Sequence, residues 1–198
     1  MPIICVANSK GTGKTIVSLN LIPHLKPDII IDLEVHRGGL ADINRLGGSL
    51  NILHTENQYD LEKWFDDDSK LILVDTGGFD LTLNRYALSQ ADYILSPTSD
   101  DPTDQLRLSD FNQTMKEVSQ SVGEHLMAHA LLNRVHHSRR SFEDFDEHIA
   151  GLEHIDRLPN IIPQSVSLPK AAFQGQAIKS GTIAANFAKL AKDIKKVL

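Results

Sequence analysis

The sequence contains little cysteine and no long apolar run. Its single cysteine, Cys5, cannot form an internal disulfide and lies in an apolar stretch, which predicts a core position. No stretch approaches the roughly 18 apolar residues that span a bilayer, and the first residues lack the basic start of a signal peptide. There is no internal repeat and no Gly/Ser-rich linker. These absences exclude a disulfide scaffold, a membrane-spanning helix and a repeat array, and they predict a single cytoplasmic domain over residues 1–198.

Positive charge is in the minority, because 20 Lys and Arg residues stand against 26 Asp and Glu residues for a net charge of −6. A chain with this balance does not bind nucleic acid over its whole surface. The positive charge is concentrated late in the chain, where residues 169–198 contain six lysines and a single aspartate. The distribution therefore predicts a local basic face on an acidic body.

Continuous apolar runs recur along the chain, which is typical of strands covered on both faces of a parallel sheet. The runs are residues 2–7, 29–33, 71–75, 92–97 and 127–133. Between them lie stretches long enough for crossover helices, among them residues 14–21, 83–90 and 103–122, and Pro23 with Pro27 predicts an early end to the first helix. The alternation predicts an α/β domain with a mostly parallel twisted sheet and helices on both faces.

A glycine-rich segment between the first strand and the first helix carries the strongest chemical signal. Residues 7–15 read ANSKGTGKT, in the strand–loop–helix context of a phosphate-binding loop. Its glycines let backbone N–H groups face an anion, and the helix N-terminus adds a partial positive charge. Lys14 would reach the β- and γ-phosphates of a nucleotide, and the Thr15 hydroxyl would bind Mg²⁺. The usual pattern has a glycine where this chain has Asn8.

Two carboxylates end apolar runs and fit the same chemistry. Asp32 follows residues 29–31, and Asp75 follows residues 71–74. Ligands of an open parallel sheet bind beyond the carboxyl ends of its strands, so both side chains are expected near the phosphate loop as part of a Mg²⁺ and water site. A dinucleotide-binding loop fits less well, because Ile16 occupies the third glycine position of that fingerprint.

These motifs resemble those of the ParA/MinD family of deviant Walker-A P-loop ATPases, and most of all those of small plasmid-partition ParA proteins. The loop is similar to the family's N-x-K-G-G-x-G-K-T, residues 32–36 stand at the switch-I sequence D-x-D-P-Q, and residues 73–78 match the Walker-B strand and switch II. Residues 131–134 resemble the strand end whose asparagine contacts adenine, and residues 162–166 resemble a late I-P-x-x-V segment. The resemblance covers nearly the whole chain and implies the P-loop fold.

The resemblance implies an ATPase that uses ATP and Mg²⁺, forms a homodimer with ATP and binds duplex DNA without sequence preference. It also implies a centromere-binding ParB-like partner that stimulates hydrolysis during plasmid or chromosome partition, and a cytoplasmic, nucleoid-associated location. The implied catalytic residues are Lys10, Lys14, Asp32 and Glu34. The implied cofactor-binding residues are Gly11, Thr12, Gly13, Lys14, Thr15, Ile16, Asn133, Pro163 and Gln164. The implied metal ligands are Thr15, Asp32 and Asp75.

Several positions depart from the family pattern. The family's signature lysine corresponds to Ser9 in this chain, and Lys10 stands one residue later. Glu34 replaces the second aspartate of switch I, and Val35 with His36 replaces its Pro-Gln pair. These departures predict nucleotide binding with slow hydrolysis, and they leave open a degenerate localisation factor that hardly hydrolyses ATP.

The sequence leaves two further interpretations open. A small-molecule ATP-dependent ligase of the dethiobiotin-synthetase type would use a related phosphate loop, but it needs a polar pocket for a second substrate. The last segment has Phe187, Leu190 and Ile194 at helical spacing with lysines elsewhere, as in a MinD-like amphipathic membrane anchor. A terminal helix docked on the domain is the favoured interpretation, and membrane binding is not expected.

The nine histidines show no metal-binding spacing such as H-E-x-x-H.

Overall fold

Strands and helices alternate along the computed structural model, which describes residues 2–67, 69–78 and 82–198. The strands are β1 (Ile3–Val6), β2 (Ile29–Asp32), β3 (Leu53–His54), β4 (Ile72–Asp75), β5 (Tyr93–Thr98), β6 (Ala128–Val135) and β7 (Ile155–Pro163). The helices are α1 (Lys14–Leu25), α2 (Leu40–Arg45), α3 (Gln58–Phe65), α4 (Thr82–Ser89), α5 (Pro102–Val122), α6 (Glu143–Ala150), α7 (Ser167–Ala172) and α8 (Gly181–Val197).

Within the described residues the strands form one sheet in the order β3-β2-β4-β1-β5-β6-β7, and every neighbouring pair is parallel. The predicted α/β class with a parallel sheet is confirmed. β1 lies between β4 and β5, and the chain leaves it through α1 toward β2 on one side. β5 leads through α5 to β6 on the other side, so the connections diverge at a switch point. Open sheets bind ligands at such a point.

Helices cover both faces of the sheet because alternate residues of a strand point to opposite sides. Ile3 and Cys5 of β1 belong to an apolar cluster that includes residues of α3, α4, α5 and α6. Ile4 and Val6 belong to a second cluster with residues of α1, α7 and α8. Cys5 is fully buried, as predicted, and burial raises the pKa of its thiol. A strand buried on both faces explains why β1 reads as a continuous apolar run.

The first helix is longer than the sequence indicated. The prediction that Pro23 ends it early is wrong, because α1 continues to Leu25 and includes this proline. Pro23 lies in the last turn, where its missing N–H removes one hydrogen bond, and burial of Leu21 and Leu25 holds the turn by packing. The helix ends where Lys26 adopts a φ of 55° and donates its N–H to the Ile22 carbonyl, directly before Pro27.

The last helix is docked on the domain, as favoured from the sequence. Phe187, Leu190, Ala191 and Ile194 of α8 are buried in the same apolar cluster as α1. The lysines of α8 lie on its exposed face, and Lys195 Nζ donates to the carbonyl oxygen of His24 in α1 at 2.9 Å. No helix among the described residues has the length and apolar character needed to cross a bilayer.

Candidate functional site

The loop between β1 and α1 forms an anion cradle. Gly11 and Gly13 adopt φ angles of 90° and 94°, which turn the chain into α1 in a way that favours glycine. The first helical hydrogen bond of α1 runs from Val17 N to Gly13 O at 3.0 Å, so the N–H groups of Lys14, Thr15 and Ile16 have no intrahelical acceptor. These three N–H groups at a helix N-terminus can therefore bind phosphate oxygens.

The side chain of Lys14 folds back over this loop. Its Nζ donates to the Ser9 carbonyl at 3.0 Å, and the Thr12 hydroxyl donates to the same carbonyl at 3.1 Å. Lys14 is only 6% exposed, and burial lowers the pKa of its ammonium, while the charges of Asp75 and Glu34 act in the opposite direction. A buried cation beside this set of N–H groups is suited to a phosphate anion. The anion would stabilise the charged form of the lysine, which burial disfavours.

Asp75 ends β4 directly beside the phosphate loop, in register with Val6 of β1 and Asp32 of β2. Its Oδ1 accepts a hydrogen bond from the Ser18 hydroxyl at 2.8 Å, whereas Oδ2 is buried and accepts none from any described residue. Burial, then the neighbouring charge of Asp32, raises the pKa of Asp75 to about 7, although the nearby Thr15 and Lys14 act against the shift. A buried carboxylate oxygen with no donor is suited to a cation or a metal-bound water.

Asp32 ends β2 and organises the loop that follows it. Its Oδ1 accepts from the Glu34 N–H at 3.0 Å, and its Oδ2 accepts from the Ala41 N–H at 2.7 Å, at the start of α2. The carboxylate is 2% exposed, and burial raises its pKa despite these two hydrogen bonds. A β-carbon on Gly39 would lie 2.5 Å from Asp32 Oδ2, so a glycine is required where the loop crosses the carboxylate.

Glu34 joins the loop after β2 to the loop after β4. Its Oε1 accepts from the His36 N–H and its Oε2 accepts from the Gly78 N–H, both at 3.1 Å. Gly78 also packs on the phosphate loop, because a β-carbon there would lie 2.8 Å from Lys10 Cβ. Lys10 is exposed at this contact. The structure thus brings Lys10, Lys14, Asp32, Glu34, Thr15 and Asp75 to one edge of the sheet.

Asn133 of β6 borders the other side of the phosphate loop. Its Nδ2 donates to the Thr12 carbonyl at 3.2 Å, and a β-carbon on Gly13 would lie 2.5 Å from that nitrogen. Pro163 ends β7, and the next residue, Gln164, donates its N–H to Val135 O at 2.8 Å. The predicted base-binding residues therefore lie where β6 and β7 end, next to the phosphate loop.

A cavity of about 510 Å³ opens beside Gly11 and Gln164. Its wall carries Arg107, which the sequence did not indicate, and Arg134, which the sequence offered only as a candidate for DNA contact. The two arginines donate to opposite oxygens of the buried Asp104 at 2.7 and 2.9 Å. Burial acts to raise the pKa of Asp104, but the net pKa is lowered, because Ser99 and Arg107 donate hydrogen bonds to the carboxylate and Arg134 adds a positive charge. No local motif could have shown this pairing, because Asp104 and Arg134 lie on different elements.

Ser18 is a second residue that the sequence did not indicate. It lies one turn into α1 and fixes the Asp75 carboxylate through the buried hydrogen bond already described. Ile16, by contrast, packs its side chain against the apolar cluster that contains α1 and α8, so only its backbone N–H faces the phosphate cradle. The side chain at this position therefore has a packing role.

No family model matches the sequence, and no curated protein matches it either. Solved structures match over the whole chain. The MinD cell division protein of Aquifex aeolicus has a TM-score of 0.74 at 14% identity, covering 99% of this chain and 97% of that one. A ParA family ATPase from Chlorobium tepidum has a TM-score of 0.71 at 17% identity, with 96% and 97% covered.

A third structure, the septum site-determining protein MinD of Pyrococcus horikoshii in complex with Mg-ADP, has a TM-score of 0.67 at 17% identity. It covers 99% of this chain and 96% of that one. At sequence identities this low, the structural similarity supports the fold alone. The chain therefore has the parallel α/β fold of the MinD- and ParA-type P-loop ATPases.

Proposed function

We propose that this protein is a ParA-type partition ATPase, which dimerises on ATP, binds duplex DNA without sequence preference and hydrolyses ATP slowly under stimulation by a ParB-like partner. The observation that supports the proposal most is the meeting of a helix N-terminal cradle, a buried lysine and two buried strand-end aspartates at one edge of the sheet. This set has the groups that a nucleoside triphosphate with Mg²⁺ requires.

The residues present fit a magnesium ion. Asp75 offers a buried oxygen without a hydrogen-bond donor among the described residues, and Thr15 lies close enough to lower its pKa. Thr15, Asp75 and Asp32 are the groups that would hold Mg²⁺ directly or through water, since this cation prefers oxygen ligands and retains several waters. When bound, Mg²⁺ neutralises charge that develops on the phosphate oxygens.

The chain's own residues position the phosphates and the attacking water. Lys14 and the N–H groups at the start of α1 would bind the β- and γ-phosphates, and Lys10 would add a second positive charge from the exposed side of the loop. Asp32 and Glu34 would orient water at the γ-phosphate. Each oxygen of Asp32 already accepts one backbone N–H, and a carboxylate oxygen can accept a second donor. Asn133, Pro163 and Gln164 would border the adenine.

The proposed DNA surface is the lysine-rich C-terminal region. Its candidates are exposed in the structure: Lys179, Lys189, Lys192, Lys195 and Lys196. A second candidate cluster, Arg134, Arg139 and Arg140, has less charge to offer. Two of its three arginines form ion pairs with aspartates, whereas among the five lysines Lys196 pairs with Asp193. A dimer would present two lysine surfaces to one duplex and so offset the net negative charge of the protomer.

A localisation factor with little hydrolysis is the second candidate. Two observations favour it: Ser9 stands at the position of the signature lysine, and both Asp32 oxygens are engaged in holding the following loop. Such a protein would bind ATP and dimerise without appreciable turnover. A ligase of the dethiobiotin-synthetase type would instead turn over with a small carboxylate or amine and without DNA.

ATP hydrolysis measured with and without nonspecific duplex DNA, alongside light scattering with ATP and with ADP, distinguishes these functions. The proposal expects a dimer with ATP only, and turnover that rises with DNA and a ParB-like partner. Dimerisation with ATP but no turnover under any condition would support the localisation factor. Failure to bind ATP would overturn both, and Lys14→Ala serves as the inactive reference.

A further inference from the structure

Two histidines and a glutamate meet at the end of the sheet opposite the phosphate loop. His125 lies in the connection from α5 to β6, and Glu153 with His154 lies in the connection from α6 to β7. The two connections run together there, since Ala128 N donates to His154 O at 2.9 Å. One ligand atom from each of the three side chains lies within 4.8 Å of the other two. The sequence could not show this group, because no short spacing links its members.

The protein holds the His154 ring through one of its two nitrogens, Nδ1. The side chain is 3% exposed, and its Nδ1 lies 2.9 Å from the carbonyl oxygen of Leu126. A carbonyl oxygen only accepts hydrogen bonds, so in the neutral ring Nδ1 carries the proton and Nε2 has the lone pair that a metal ion needs. No described residue makes a hydrogen bond with Nε2. Histidine ligands in metal sites commonly hold their other nitrogen to a carbonyl in this way, which fixes the tautomer and the ring direction.

The surroundings of His154 fix its backbone as well as its ring. The backbone N–H donates to Asn112 Oδ1 at 2.9 Å, and the Ser119 hydroxyl lies 3.3 Å from Nδ1. Ser119 in turn accepts the N–H of Leu126 at 3.0 Å. One ligand is thus held rigidly by α5 before any cation binds, which reduces the entropy that binding must overcome.

The other two ligands are exposed and can adjust to a cation. The His125 ring lies 4.5 Å from the His154 ring, centroid to centroid. Glu153 makes one ion pair, with Lys116 Nζ at 3.7 Å, and both partners are largely exposed. A surface pair of this length contributes little, so a metal ion can replace the lysine at small cost.

We propose that His125, Glu153 and His154 form a binding site for a divalent transition metal, with Zn²⁺ the cation that suits it best. Two imidazoles and one carboxylate are a donor set that zinc accepts, and three protein ligands at a surface leave a fourth position for water. Mg²⁺ and Ca²⁺ prefer all-oxygen sites and are disfavoured here. The bound ion would link the α5–β6 connection to the α6–β7 connection, at the end of the sheet opposite the phosphate loop. This role is independent of the proposed ATPase activity.

Zinc binding to the full-length, untagged, nucleotide-free protein tests the site. Calorimetric titration with ZnCl₂ is carried out in excess MgCl₂, which competes for oxygen sites such as Asp75 but not for imidazole. We expect one zinc ion per chain and a rise in Tm with zinc, because a ligand that binds the folded state stabilises it. His125→Asn and Glu153→Gln change exposed side chains, so both variants should fold, and each should weaken zinc binding at least about tenfold.

His137→Asn is the matched control. His137 is an exposed histidine whose ring lies 4.2 Å from that of His136, and no acidic residue completes a ligand group there among the described residues. This variant should bind zinc as the parent does. The proposal is overturned if the parent binds no zinc under these conditions, if His125→Asn and Glu153→Gln bind it unchanged, or if His137→Asn alone removes the binding.

Discussion

At the scale of single residues, burial sets the charge states around the phosphate loop. Lys14 is buried and the pKa of its ammonium is lowered, while burial raises the pKa of Asp75 to about 7. Both side chains carry the charge needed for nucleotide chemistry at some cost to folding, since burial disfavours the charged form of each. The phosphate groups of a bound nucleotide would reduce this cost at Lys14, and Mg²⁺ would reduce it at Asp75.

Lys14→Ala should weaken ATP binding at least about tenfold. The change removes a charge-assisted hydrogen bond to phosphate, which typically contributes about 1.5–3 kcal/mol, and about 1.4 kcal/mol corresponds to a factor of ten. Calorimetry with a non-hydrolysable ATP analogue measures the effect. Lys63→Ala, which alters an exposed lysine of α3, is the control. Equal affinity in both variants would contradict the assignment of the phosphate loop.

The raised pKa of Asp75 predicts how stability depends on pH. The folded pKa of about 7 lies above the ordinary value of 3.8, so between these values the folded state binds more protons than the unfolded state. The contribution of Asp75 to the free energy of unfolding therefore falls as pH rises from about 4 to 7, and the penalty is fully present above pH 7.

Asp75→Asn should remove this penalty while Ser18 keeps an acceptor. We expect the variant to be more stable than the parent by about 2–4 kcal/mol at pH 8, at about 1.4 kcal/mol per pKa unit, and to lose the advantage near pH 4. Urea unfolding of both proteins across this pH range measures the difference. A constant difference at all pH values would show that Asp75 is not the titrating group.

At the scale of elements, three loops pack against one another at the carboxyl ends of β1, β2 and β4. Glu34 binds the Gly78 N–H across two of them, and Gly78 packs on Lys10 of the third. We therefore expect a shift in one loop to displace the others. This contact is how a change at the γ-phosphate would reach the surface on which Lys10 is exposed.

Lys10→Ala should impair ATP-driven dimerisation and turnover while ATP binding by the monomer stays within about twofold of the parent. Lys10 is exposed on the loop, whereas Lys14 supplies the buried charge, so the two lysines should separate binding from assembly. Light scattering with ATP, paired with calorimetry, measures both properties. Normal dimerisation and turnover in the variant would mean that Lys10 is an ordinary loop residue.

Gly78→Ala tests the loop contact without removing a charge. The added methyl group would lie 2.8 Å from Lys10 Cβ and 3.0 Å from its Cα, so the phosphate loop or the loop after β4 must move. We expect slower ATP hydrolysis and weaker dimerisation at unchanged net charge. Gly151→Ala is the control, since its methyl group meets only the His148 carbonyl at 3.5 Å. Parental activity in Gly78→Ala would show that the loops adjust freely.

The sequence predicted five strands because each of them is an apolar run. It missed β3, which has two residues, and β7, an edge strand that contains Pro159 and Pro163 and alternates in burial. In the site, the glycines, Lys14 and Thr15 follow from local spacing. The Ser18–Asp75 hydrogen bond and the Arg107–Asp104–Arg134 group could not be predicted, because they depend on how separate elements pack.

At the scale of the whole molecule, the lysines that are concentrated late in the sequence form one basic surface. The apolar side of α8 is buried in the domain, so its lysines face outward together with Lys179. The rest of the chain carries the excess of acidic residues. Contact with a polyanion would therefore be confined to one side of the protomer, and two protomers are needed to present a larger basic surface.

Lys189→Glu combined with Lys192→Glu should weaken DNA binding with ATP on any duplex sequence. Each phosphate contact contributes about 0.9 to the slope of log affinity against log salt, so losing two contacts should reduce the slope by about 1.8. Anisotropy on two unrelated duplexes at two salt concentrations, with ATP and with ADP, measures this. Lys63→Glu, a charge reversal at an exposed lysine of α3 outside this surface, is the control. An unchanged slope, or binding confined to one duplex, would contradict the mechanism.

The docking of α8 on α1 has a mechanical consequence. α1 has 12 residues and is therefore about 18 Å long, with the phosphate cradle at its first turn and the His24 carbonyl, which binds Lys195, at its last. The helix behaves as a stiff rod between the two sites. A tilt that a bound nucleotide imposed on the first turn would therefore be carried along the helix as a displacement of the lysine surface at the other end.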